Sequence, residues 1–326
     1  MCRVGGNVRF DIGKITGIIK MQTWTDIFRE EFVDVFANKN LGQNFLFDPG
    51  IIAGIVDLAD PKKDETVLEI GPGLGSMTAE ILSRGAKVVC VEYDENLAKE
   101  LPKNIQKIMK IRKENGLNYS LDFHENLTIE NADFLQFNLS KFAKNPYKII
   151  ANIPYNITKP IITKIIESDN QPEVAALLVQ QEVAEKVAAA AGENSVLSLR
   201  IQNFSSAETS VKVSRKMFTP EPKVESQVLI LRPGKNSKIR EFYDHNFHEN
   251  DGVKIEIFAK KFWQMVNAGF ANKRKKLRTS LAPALAKNKD LTAEFLIEND
   301  INPDLRAQDL AFETWLKLAQ KSTQNH

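Results

Sequence analysis

Asn152-Ile153-Pro154-Tyr155 brings an amide, a stiff turn and a flat ring together within four residues. The exocyclic amine of a nucleobase is a poor nucleophile, because its lone pair is delocalised into the ring. Methylating it requires the nitrogen to pyramidalise, and two acceptors aimed at its hydrogens favour that geometry. Asn152 can offer its side-chain oxygen, and a backbone carbonyl such as that of Ile153 can offer the second. Pro154 stiffens the turn. Tyr155 gives a face on which a flipped base can stack, a contact worth about 1–3 kcal/mol. Asn and Pro are equally at home in a plain strand-to-turn junction, so the tetrapeptide alone leaves both readings open.

A second stretch, Glu69-Ile70-Gly71-Pro72-Gly73-Leu74-Gly75, follows the apolar run Thr66-Val67-Leu68 and precedes a helix-like segment over 77–84 that Gly85 is placed to stop. Strand, tight turn and helix start let the backbone approach a ligand closely and offer it free N–H groups. The spacing is G-x-G-x-G and not the G-x-G-x-x-G of the dinucleotide fingerprint. Glu92 closes the next apolar run, Lys87-Val88-Val89-Cys90-Val91, about 20 residues beyond the first glycine, where a nucleotide-binding βαβ unit keeps its ribose-binding acid. Glycine-rich turns also serve simply as turns.

The elements that would position these residues alternate. Trp24, Ile27, Phe28, Phe32, Val35 and Phe36 fall on one helical face. Asp48-Pro49 supplies an N-cap and an N1 proline for a helix to about residue 59. Strands are expected at 66–70, 87–92, 127–131, 147–151 and 174–179, the last fully apolar as a central parallel strand should be. Helices are expected at 77–84, at 96–113 with an interruption at Pro102, at 159–167, at 182–191 and at 195–204. Strand-like runs at 208–213 and 227–231 flank a proline-rich loop and suggest an antiparallel edge hairpin. The pattern is α/β, a doubly wound sheet. Ligands bind such sheets beyond the carboxyl ends of the strands, and Gly71, Glu92, Asp133 and Asn152 lie just past four successive ends. They should converge on one crevice.

The 326 residues are 43% hydrophobic, with a net charge of +2 and two cysteines, Cys2 and Cys90. That suits a globular core. It gives no apolar run long enough for a bilayer, no secretory h-region at the start and no disulfide framework, so the cytoplasm is expected. Residues 1–20 show no architecture and could be a flexible arm, with Met21 a possible true start. His245 and His248, three apart, make a poor metal site, while His124 and His326 sit in polar surroundings. No metal is expected.

The chain resembles the ribosomal RNA adenine dimethyltransferase family over roughly residues 38–318. The resemblance rests on Leu41-Gly42-Gln43-Asn44-Phe45-Leu46, on the glycine stretch, on Asn152-Ile153-Pro154-Tyr155-Asn156-Ile157 and on Phe218-Thr219-Pro220-Glu221-Pro222-Lys223-Val224-Glu225-Ser226. It rests also on Phe270-Ala271-Asn272-Lys273-Arg274-Lys275-Lys276-Leu277. It implies a Rossmann-like class I methyltransferase sheet and S-adenosylmethionine as cofactor. Asn44, Leu46, Gly71 and Gly73 would hold the methionine part, Glu92 the ribose hydroxyls and Asp133 the adenine amine, with Asn152 beside the methyl. Tyr155 and Phe218 would sandwich the target adenine. The chain departs from the family's pattern in its long start, in the segment between Pro102 and Leu127, and at Ser195-Val196 and Gln181.

No acid occurs from 257 to 281, while Lys260, Lys261, Lys273, Arg274, Lys275, Lys276 and Arg278 crowd that stretch with Phe262, Trp263 and Phe270 interleaved. Such a cluster can neutralise phosphate, or be an ordinary solvated helix face. The expected organisation is an N-terminal extension and helix at 1–37, a methyltransferase domain at 38–233, a linker at 234–254 and a small all-α RNA-binding domain at 255–326. The expected substrate is the pair of adenines near the 3′ end of small-subunit ribosomal RNA in an immature subunit, bound by a monomer. The rivals are the related large-subunit methyltransferase of macrolide resistance, and an RNA-binding assembly factor without catalysis. The tail, with Ile301-Asn302-Pro303-Asp304-Leu305-Arg306-Ala307, resembles the small-subunit branch.

Overall fold

Apolar runs of five or six residues alternating with amphipathic segments fold as that alternation requires. The computed structural model describes residues 24–32, 42–117, 123–142, 145–247 and 254–324. The start at 1–20, Met21, Val35, Phe36, Leu41, His248 and His326 lie outside the described residues. By contact the chain divides into two compact units, Met1–Gln181 with Thr209–Arg232, and Glu182–Glu208 with Pro233–His326.

The first unit contains α1 (Trp24–Glu31), β1 (Phe45–Leu46), α2 (Pro49–Ala59), β2 (Thr66–Ile70), α3 (Ser76–Ser83), β3 (Lys87–Glu92) and α4 (Glu95–Glu114). These are followed by β4 (Leu127–Asn131), β5 (Tyr147–Asn152), α5 (Thr158–Ile166) and β6 (Ala175–Gln180). The main sheet runs β4-β3-β2-β5-β6 in parallel. Its order turns at β2 and β5, and the crevice of such a sheet opens there. Asp48 caps α2 as expected, its Oδ1 accepting from the Ile51 N–H at 2.9 Å. Pro102 does not interrupt α4. The buried stripe Leu97, Leu101, Ile105 and Ile108 holds the helix through it, against a proline cost of about 3 kcal/mol.

Past α6 (Gln181–Val187) and α7 (Val196–Phe204) come β7 (Ser205–Val213), β8 (Phe218–Thr219) and β9 (Ser226–Pro233). β9 pairs antiparallel with β6, and β7 takes the sheet edge beside it. This is the expected edge hairpin, with β7 three residues longer at its start. β8 pairs with β1 in a separate two-stranded ribbon.

The second unit adds α8 (Lys238–Asn246), α9 (Ile255–Phe270), α10 (Leu277–Ser280), α11 (Lys289–Glu298) and α12 (Phe312–Gln324). The segment 234–254, expected as a linker, contains α8. Ser237 caps it by accepting from the Arg240 N–H. Ile239, Phe242, Tyr243 and Phe247 recur at helical spacing and pack into a core with Phe258. Among the described residues no helix is long and apolar enough to cross a membrane.

Candidate active site

A cavity of about 290 Å³ opens at the carboxyl ends of β2, β3, β4 and β5. Asn44, Leu46, Gly71, Gly73, Glu92, Asp133, Asn152 and Tyr155 all line it. Four separate loops therefore meet where the strand order turns, as the positions of Gly71, Glu92, Asp133 and Asn152 require. Glu69 lines it as well. Among the described residues no lysine, arginine or histidine does.

Asn152 ends β5. Its Nδ2 donates to the backbone carbonyl of Asn44 at 2.9 Å. An amide that spends its nitrogen there keeps its oxygen as an acceptor for something else. The turn that follows is closed by the Ile157 N–H and the Thr158 hydroxyl, which bond the carbonyl of Pro154, the hydroxyl also reaching that of Tyr155. Neither takes the carbonyl of Ile153, whose own N–H continues the ladder to Leu178. Tyr155 is half-buried, and its hydroxyl lies 2.6 Å from that of Ser226. Burial raises its phenol above the ordinary value, the Ser226 contact opposing the shift.

The glycine turn is built by backbone that other residues resist. Gly71, Gly73 and Gly75 have φ of +66°, +56° and +87°. A Cβ on Gly73 would sit 3.0 Å from the Phe45 ring, whereas one on Gly71 would meet open space. The turn is tied to the next strand by Glu92, whose two carboxylate oxygens accept from the Gly73 N–H at 3.1 Å and the Asp94 N–H at 2.9 Å. Burial raises the Glu92 carboxyl, and these N–H groups pull it back. Asp133 turns one oxygen to the Leu135 N–H at 2.8 Å. Beneath the turn, burial pushes the Glu69 carboxyl up to about 8, while the Cys90 thiol, which donates to it at 3.7 Å, opposes the shift.

Phe218 is not brought to the cavity. Its backbone pairs with Leu46 as β8 on β1, its side chain is fully buried in the first unit's core, and it is absent from the cavity lining. Of the expected sandwich, Tyr155 lines the cavity, while Phe218 lies in the core, held there through β8 and β1. Other residues line the cavity as well: Phe45 and Pro154 from the quoted motifs, and Phe134 and Leu135, which directly follow Asp133. Adjacency to a strand-end acid was the available signal.

In the second unit, Lys273, Arg274, Lys275 and Lys276 are exposed in the turn after α9. The two tail stretches quoted above come together, the Leu277 and Arg278 N–H groups bonding the carbonyls of Leu305 and Pro303. Asp304 thereby reaches Lys276 at 3.0 Å and Arg278 at 2.9 Å. The interleaved aromatics turn inward. Phe262 is fully buried against Phe312, and Phe270 packs near Trp315. His245 bonds the Glu241 carbonyl of its own helix.

Residues 36–324 match the family model described as ribosomal RNA adenine dimethylase. The chain is similar to the ribosomal RNA small subunit methyltransferase A of Fusobacterium nucleatum, 31% identical over 86% of this chain and 95% of that one. It is similar also to that of Lactobacillus acidophilus, 35% identical over 88% and 91%. Among solved structures, the 23S rRNA methyltransferase ErmE aligns with a TM-score of 0.62 at 27% identity, covering 86% of this chain and all of that one. A dimethyladenosine transferase from Plasmodium falciparum aligns with a TM-score of 0.61 at 25% identity, covering 86% and 98%.

Proposed function

The chain belongs to the ribosomal RNA adenine dimethylase family, and from that membership we infer that it transfers methyl groups from S-adenosylmethionine to N6 of two adjacent adenines near the 3′ end of small-subunit ribosomal RNA. The curated relatives favour the small subunit over the large-subunit activity carried by ErmE. Methylation of small-subunit RNA before the subunit is complete would place the chain in the cytoplasm with an immature small subunit as its partner, which the small-subunit relatives support.

The residues present fit the cofactor. The cavity wall carries Glu92 and Asp133 and, among the described residues, no cation, which suits a positively charged group, and Gly71 leaves open the space that a Cβ would fill. We propose that Asn44, Leu46, Gly71 and Gly73 hold the methionine part, Glu92 the ribose hydroxyls and Asp133 the adenine amine. Bound there, S-adenosylmethionine supplies an electrophilic methyl on a sulfonium that is already a good leaving group.

The observation that carries the reading is the orientation of Asn152. With its nitrogen held by the Asn44 carbonyl, its oxygen is left to accept from the target amine, and the Ile153 carbonyl can accept the second hydrogen. The two acceptors favour the pyramidal nitrogen that attacks, while Tyr155 stacks on the base. Positioning does most of the work. The amine's proton leaves readily once the nitrogen carries the new methyl, so no strong base is required. Lys273, Arg274 and Lys275 would contact RNA phosphate, with Lys276 and Arg278 shared with Asp304.

The test is methyl transfer from labelled cofactor to immature small subunits and, separately, to large-subunit RNA, with Asn152→Ala as control. Dimethyladenine mapped to the small subunit and lost in the variant is the expected result. Label on large-subunit RNA would move the chain to the other branch, and tight RNA binding without label would point to an assembly factor.

A further inference from the structure

Stacking a base needs only the ring of Tyr155, and phenylalanine would supply that. The hydroxyl therefore has some other use, and among the described residues it meets the Ser226 hydroxyl at 2.6 Å. The two residues come from very different places. Tyr155 opens a single 3-10 turn, Tyr155–Ile157, that has left the sheet after β5. Its backbone does not fix the direction of the ring. Ser226 is the first residue of β9, fully buried and paired with Gln180 at the end of β6. The residue before it is anchored on both sides. The Gln181 N–H bonds the Glu225 carbonyl at 3.0 Å, and the Arg215 N–H bonds the Glu225 carboxylate at 2.8 Å.

We propose that Ser226 is a positioning residue for methyl transfer: its hydroxyl holds Tyr155 by the phenol oxygen and so sets the plane on which the target adenine stacks. The ring is then fixed at two points, its Cα on the turn and its hydroxyl on the sheet. A side chain locked onto a rigid element holds a reacting group more closely than a loop residue does alone, and misplacement by about 1 Å can cost about a hundredfold in rate. The Phe218–Ser226 motif then contributes to the site through its last residue, although Phe218 itself is in the core. The inference rests on the proposed stacking role of Tyr155.

A double-variant cycle on the full-length chain tests it, using immature small subunits and labelled cofactor. Ser226→Ala and Tyr155→Phe each cut the same bond from opposite ends. Each is expected to lower kcat about tenfold, with cofactor Kd by calorimetry unchanged, and the double variant should fall no further than either single one, because coupled partners are not additive. Multiplied effects in the double variant, or kcat within twofold of wild type in Tyr155→Phe, would overturn the inference. The Tyr155→Phe arm changes no residue of β9 and decides the matter even if Ser226→Ala does not fold. Tyr155→Ala separates the two levels. Wild-type transfer in that variant rejects the stacking reading itself. Lost transfer there, with Tyr155→Phe fully active, rejects only the role of Ser226.

Discussion

Asn152 does two jobs with one amide: Nδ2 ties the end of β5 to the Asn44 carbonyl, and Oδ1 remains for the amine. Asn152→Asp separates them. The carboxylate keeps an oxygen for the pocket but loses the donor, and it sets an acceptor against the Asn44 carbonyl. Methyl transfer should fall by about a hundredfold or more, the scale seen when one preorganised polar contact at a reacting centre is removed, and single-turnover rates would show it. Activity close to wild type would mean that the Nδ2 bond is dispensable. Glu69 gives a prediction of a different kind. Its carboxyl rises from 4.5 to about 8 on folding because it is buried. Between those values the native state holds a proton that the unfolded chain has released, so the contribution of Glu69 to stability is fully present below about pH 4.5 and is lost as pH rises through 8. The loss is about 1.4 kcal/mol per unit of pH across that window. Glu69→Gln stays neutral throughout and should flatten this slope. Urea midpoints at about pH 5.5, 7 and 8.5 compare the two chains, and parallel slopes would show that Glu69 is ionised in the native protein.

Elements are held in contact by the few places where a side chain must be missing. α9 and α12 approach at Gly269, where an added Cβ would lie 2.6 Å from Cη2 of Trp315 and 3.3 Å from Cβ of Ala307. Trp315 is fully buried and has no room to retreat. Alanine in place of a helical glycine gains up to about 1 kcal/mol in propensity, but overpacking costs about 1–3 kcal/mol. Gly269→Ala should therefore lower Tm by several degrees; a Tm at or above wild type would show that the two helices have slack. Elements were legible in the sequence where their causes are local. Asp48-Pro49 announces a helix start, and the three alternating glycines announce a turn with positive φ, because cap and turn chemistry act within a few residues. Burial of an aromatic depends on what packs against it. Phe218 reads like a stacking residue, and Phe262 like part of an RNA surface, until β1 and α12 are in place. Asp304 escaped notice as the partner of Lys276 and Arg278 because only the backbone bonds from Leu277 to Leu305 and from Arg278 to Pro303 bring it there.

For the whole chain, the composition change at Arg232-Pro233-Gly234 suggests a boundary, and a methyltransferase domain ending at 233 follows naturally from it. The contacts divide the chain otherwise, assigning Glu182–Glu208 to the unit that contains Pro233–His326. The reason lies in buried polar groups that no local pattern reveals. The buried Asn194 Nδ2 donates to the Leu310 carbonyl at 2.9 Å, and the buried Asn203 Oδ1 accepts from the Ile239 N–H at 3.0 Å. Leu199 of α7 is fully buried in the same core as Phe262 and Trp315. A chain cut after residue 233 keeps α7 and deletes every one of these partners. Each buried polar group left unmatched costs about 1–3 kcal/mol, and an exposed Leu199 adds about 2 kcal/mol, against a total stability of about 5–15 kcal/mol. The truncated chain 1–233 should therefore be insoluble, or should melt far below the full chain and bind a hydrophobic dye, even though every residue that lines the cavity is still present. Thermal denaturation of the two chains side by side decides it. A soluble 1–233 chain with a cooperative transition and undiminished cofactor affinity would show that residues 182–208 can be stabilised without the C-terminal helices, and that the boundary suggested by composition is the functional one.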